Sequence, residues 1–61
     1  MLKSIARESA ENLFNHLELK TSKLYQNKNE IRVRFEFLDK TILVIKYDCR
    51  NSTKTYYLNK H

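Results

Sequence analysis

Asn29 divides the chain by the spacing of its apolar side chains. Before it, Leu2, Ala6, Ala10, Leu13, Leu17 and Leu24 follow steps of three and four or their sum. At about 100° per residue, that spacing places them on one helical face. Phe14 and Tyr25 widen the stripe on one side and Ile5 on the other, with Glu8, Glu11, Asn15, Glu18 and Ser22 opposite. Leu19 falls on the polar side, where a helix has no use for it. Ser4 is a usable N-cap, although Arg7 stands where a capping box wants Glu. The stripe predicts one amphipathic helix over about residues 3–25. Its end is open to two descriptions. Leu24 stays in phase and favours continuation, whereas Thr21 and Ser22 weaken the helix. Ser22 to Gln26 would then be a short edge strand turning at Asn27, Lys28 and Asn29.

After Asn29 the period is two. Ile31, Val33, Phe35 and Phe37 alternate with Arg32, Arg34 and Glu36, the pattern of a half-buried strand. A second run, Thr41 to Cys49, has Leu43, Ile45, Tyr47 and Cys49 on one side and Ile42, Val44, Lys46 and Asp48 on the other. In a third, Lys54 to Leu58, Tyr56 and Leu58 share a face. The expected strands cover about 30–38, 41–49 and 53–59. The expected fold class is α+β, with the N-terminal helix packed on one face of a three-stranded antiparallel β-meander. A chain of 61 residues has room for a single small domain, 1–61.

Burial selects the register. A two-residue loop at Asp39 and Lys40 sets Val33 opposite Lys46 and Ile31 opposite Asp48. The three-residue loop Leu38, Asp39, Lys40 instead pairs Phe35 with Leu43, Val33 with Ile45 and Ile31 with Tyr47. A one-residue slip exchanges the two faces, so the second register is expected because it buries apolar partners together. It also suits a chain without glycine, since tight primed turns require positive φ. In the next hairpin, a loop around Asn51 to Thr53 places Tyr56 and Leu58 on the core face.

One helix covers one side of such a sheet. The other side presents Arg32, Arg34, Glu36, Ile42, Val44, Lys46, Asp48, Thr55 and Tyr57, with an apolar middle and a mostly basic surround. An apolar centre within a charged rim, with Tyr and Arg among its residues, has the anatomy of an interface. The expected partner-binding residues are therefore Arg32, Arg34, Ile42, Val44, Lys46 and Tyr57. Arg32 lies opposite Lys46, and like charges directly opposite repel unless an anion, or Asp48 and Glu36 on the diagonals, offsets them. The formal net charge is +5. Residues 1–20 balance three basic against three acidic groups, so the whole excess lies in residues 21–61.

Several chemistries lack their residues. Without glycine there is no phosphate-binding loop or dinucleotide fingerprint. A zinc site would have to collect Cys49, His16, His61 and scattered carboxylates with no ligand spacing to organise them. Cys49 reads as a small apolar residue at a sheet end and His16 as a helix residue, so no catalytic residue, metal or cofactor is expected. The longest apolar run, Ile42 to Ile45, is far short of the roughly 20 residues of a membrane span. The N-terminal residues carry no secretory h-region, and Asn51-Ser52-Thr53 reads as a turn although it matches the glycosylation sequon. Cytoplasmic residence is expected, in a host cell if the chain is phage-encoded.

Together these features favour a small non-enzymatic binding protein that docks on another protein through the uncovered sheet face. Its wealth of Lys and Asn suits an AT-rich genome such as that of a phage or mobile element, whose small proteins often act as regulators or inhibitors of a host machine. The alternative is a small basic DNA- or RNA-binding protein using the Arg, Lys and Tyr residues of the same face, Tyr25, Tyr47, Tyr56 and Tyr57 being candidate stacking platforms. A homodimer formed sheet to sheet is a third arrangement. No membrane or small-molecule partner is expected.

Overall fold

The helix stops at His16. The computed structural model describes residues 2–59. In chain order these form β1 (Lys3–Ile5), α1 (Arg7–His16), β2 (Leu19–Gln26), β3 (Glu30–Phe37), β4 (Ile42–Asp48) and β5 (Thr53–Asn59). All five strands join one sheet in the order β1-β5-β4-β3-β2, each neighbour antiparallel to the next. The three-stranded meander under a long helix is thereby overturned. The sheet has five strands, and the stretch expected to be one helix supplies both edge strands and a ten-residue helix between them.

The width of the sheet explains the short helix. β1 and β2 run in the same direction at opposite edges, so α1 must carry the chain across the sheet. Four inter-strand gaps measure about 19 Å, and ten helical residues rise about 15 Å. A helix over residues 3–25 would rise about 35 Å and overshoot the far edge. The apolar stripe also fails where the helix ends, because the positions after Leu17 that continue it are Lys20 and Thr21. Leu17 is the C-cap, its N–H bonded to the Leu13 carbonyl at 2.8 Å. Leu24, in phase by spacing, lies in β2 opposite Val33 and is 64% exposed.

Nor does Ser4 cap the helix. It pairs with Tyr57 in β1, and the N-cap is Ala6, whose side chain offers no acceptor to the first turn. Arg7 donates to Glu11 at 3.0 Å, an exposed i,i+4 pair in the less favourable order. A ten-residue helix so poorly capped depends on its packing. Ala10, Phe37 and Leu43 form the buried centre, surrounded by Ile5, Leu13, Leu17, Phe35, Ile45 and Tyr56. Phe14 sets its ring edge-on to Phe35 at 5.0 Å and to Phe37 at 5.4 Å. Leu19, with no place on a helix, opens β2 opposite Phe37.

The β3–β4 hairpin pairs Phe35 with Leu43, Val33 with Ile45 and Ile31 with Tyr47, the register favoured by burial. Its loop bends through Lys40 at φ 75°, so the longer loop does not spare the chain a left-handed residue. Asp39 steadies it by accepting from the Thr41 N–H at 2.9 Å. The β4–β5 connection is Cys49 to Ser52, with Ser52 at φ 54°. There the Asp48 carboxylate accepts from the N–H groups of Arg50 and Asn51. In the β2–β3 turn, Asn27 Oδ1 accepts from the N–H groups of Asn29 and Glu30. Short polar side chains thus do the work for which this chain has no glycine.

Candidate functional site

The side of the sheet away from α1 is covered by no other described element. Strand pairing lays two rows of side chains across it. One row runs Lys23, Arg34, Val44, Tyr57, Ser4 over all five strands, and the next runs Tyr25, Arg32, Lys46, Thr55. Between them the surface sinks into an open concavity of about 510 Å³ lined by Leu2, Tyr25, Arg32, Arg34, Val44, Lys46 and Tyr57. Val44 forms its floor. Although no helix covers Val44, it is only 8% exposed, because the longer side chains around it lean across.

Five of the six residues expected to bind a partner therefore line one hollow: Arg32, Arg34, Val44, Lys46 and Tyr57. Ile42 does not. It shares the face but pairs with Glu36 and Asn59, one step beyond the lining. Leu2 and Tyr25 are additional, and both were expected on the helix. A strand at β2 reverses the role of Tyr25, which stands opposite Arg32 on the open face. Tyr47 and Tyr56 belong to the helix side, opposite Ile31 and Ile45.

Charge pairing on this face differs from expectation. Glu30 answers the repulsion between Arg32 and Lys46. One carboxylate oxygen accepts from Arg32 Nη2 at 3.0 Å, and the other lies 3.6 Å from Lys46 Nζ. Glu36 is drawn instead to Lys20 at 3.8 Å, and Asp48 is committed to its turn. That leaves Arg34 and Lys23. They are directly opposite one another, and neither has an acid or acceptor partner among the described residues. Arg34 is half-buried against the floor of the hollow. A guanidinium there has lost part of its hydration and has five donors to offer.

The described lining residues include no carboxylate, imidazole or thiol, and their titratable groups are those of Tyr25, Tyr57, Lys46 and the two arginines. Among the described residues, no three His, Cys, Asp or Glu side chains gather to hold a metal ion. Cys49 is a free, exposed thiol in a turn, and His16 is exposed in the last turn of α1. His61 lies outside the described residues. No described helix is long and apolar enough to cross a membrane. No known protein family, curated protein or solved structure matches the chain.

Proposed function

We propose that the chain is a non-enzymatic binding protein whose open sheet face docks on an acidic, partly apolar surface of another protein. The observation that carries this is Arg34, a half-buried cation without a counter-ion among the described residues, beside an apolar floor and in one hollow with two tyrosines. A partner carboxylate there would gain a bidentate, charge-assisted pair, and an adjoining apolar side chain would cover Val44 and Leu2. Arg32 and Lys46, already shared by Glu30, orient the approach through their residual positive field. A small inhibitor or regulator of a larger machine, of the kind encoded by phages and mobile elements, fits a chain whose recognition surface is most of one side of the molecule. The free thiol of Cys49 suits a reducing compartment, and the cytoplasm is the proposed site of action.

The test is capture from lysate by tagged wild-type protein, with and without nuclease, against two variants. Arg34→Glu reverses the unpaired charge without touching the core. Glu8→Lys makes a charge reversal of the same size on the exposed side of the helix. A protein retained after nuclease by wild type and Glu8→Lys, and lost by Arg34→Glu, supports the proposal. Equal retention by all three overturns it. Val44→Glu is a poor probe, because Val44 is nearly buried and a charge there threatens the fold.

One observation favours a second reading. Tyr25 and Tyr57 flank the same cations, and alternating rings and charges suit a single strand whose bases stack while its phosphates pair. In that case nuclease abolishes capture. Affinity for oligothymidylate then falls linearly with the logarithm of salt, and more shallowly once Arg34 is neutralised.

A further inference from the structure

The two sheet edges are unequal. β1 is three residues long, whereas all eight residues of β2 are exposed, with no proline or glycine and no covering element among the described residues. Leu24 and Tyr25, at 64% and 55% exposure, are among the most exposed large apolar side chains described. A long bare edge of this kind is a template for another strand.

Its geometry selects the strand and the register. Pairing with β3 is irregular between Leu19 and Thr21, so the regular part of β2 is Thr21 to Gln26. The Asn27 N–H donates to the Glu30 carbonyl at 3.0 Å. Hydrogen-bonded pairs recur every second residue in an antiparallel ladder, so Tyr25–Arg32 and Lys23–Arg34 are bonded pairs. The main-chain N–H and C=O groups of Ser22, Leu24 and Gln26 must then point outward. We propose that the chain forms a two-fold dimer by antiparallel pairing of two β2 edges, with Leu24 opposite Leu24 on the axis.

This register uses every outward group of the regular segment, because Ser22 bonds with Gln26 of the second copy and Leu24 with its own equivalent. It meets apolar with apolar on the helix side. On the open side it sets each Lys23 beside Tyr25 of the second copy, a favourable cation–ring contact. A slip of two residues toward the bulge would place Lys23 opposite Lys23. Symmetry then makes one ten-stranded sheet with both helices on one side, so the two concavities open in the same direction. The dimer rests on the β2 edge and not on the docking proposal. Either can fail alone.

Sedimentation equilibrium on the full chain between about 10 µM and about 1 mM reads the mass directly. The expected result is a rise from 7.4 kDa for one chain towards twice that value, abolished by Leu24→Lys and unchanged by Arg34→Glu. A cysteine pair reads the register, with Cys49→Ser removing the native thiol. Leu24→Cys should oxidise to a covalent dimer, since the Cα separation of a hydrogen-bonded pair, about 5.5 Å, lies within disulfide range. Ser22→Cys should not, its equivalents being offset by about 13 Å along the strands. A monomer at the highest concentration overturns the proposal. So does a dimer indifferent to Leu24→Lys, or one that cross-links through Ser22→Cys and not Leu24→Cys.

Discussion

Glu30 joins Arg32 and Lys46, two cations that strand pairing forces to face each other. Replacing it with Gln keeps the shape and leaves the repulsion. Partial exposure screens the pairs, so the expected loss is about 0.5–1 kcal/mol. Thermal unfolding of Glu30→Gln in rising NaCl checks the cause, because salt should shrink the deficit relative to wild type. A deficit independent of salt would point to packing. Thr41 makes the opposite case. Its hydroxyl oxygen is buried at the start of the core with no hydrogen-bond partner among the described residues. Thr41→Val removes the polar atom and keeps the branched shape, and urea unfolding should show a gain of about 1 kcal/mol. A loss would mean that the hydroxyl is satisfied.

Helix α1 begins at Ala6, whose backbone is already extended as an N-cap requires but whose side chain accepts nothing. Ala6→Asp adds the missing acceptor at the positive end of the helix, worth about 1 kcal/mol, or about 4–8 °C in melting temperature for a domain this small. An unchanged melting curve would place the helix start elsewhere. The same stretch shows where pattern reading succeeds and fails. β3 alternates because one of its faces is buried, and Leu43, Ile45, Tyr56 and Leu58 share the helix side of β4 and β5, so the register of the central hairpin and five lining residues of the hollow follow from the sequence. β2 is an edge strand with all eight residues exposed. Nothing imposes alternation on it, and the chance spacing from Leu17 to Leu24 mimics a helix. Leu19, apolar on the polar side of the supposed helix and in fact opposite Phe37, was one local sign, and Thr21 and Ser22, which left Ser22 to Gln26 open to being an edge strand, were another. β1 is too short to show a period, so Leu2 beside it was invisible as a lining residue, as was Tyr25 within β2. Glu30 was missed because it sits at a strand end, where only the three-dimensional pairing reveals its reach.

The whole molecule is a single layer of strands with its core on one side. Leu43 lies fully buried at that core, and truncation to Ala should cost about 2–5 kcal/mol. Total stability at this length is on the order of 3–9 kcal/mol, so Leu43→Ala should lose much or all of its cooperative transition. Leu38→Ala, more than half exposed, should barely shift it. Comparable effects at both sites would contradict a core confined beneath α1. We propose the reverse of the sheet as the recognition surface, with Arg34 as its one half-buried cation lacking an acid partner among the described residues. Cross-saturation NMR on labelled protein bound to the captured partner measures this most directly. Saturation is expected to reach the Val44 methyls, the Tyr57 ring and the Arg34 Nε–H, with Ala10 and Leu13 unaffected. Transfer to the outer side of the helix, with Val44 and Arg34 silent, would contradict it.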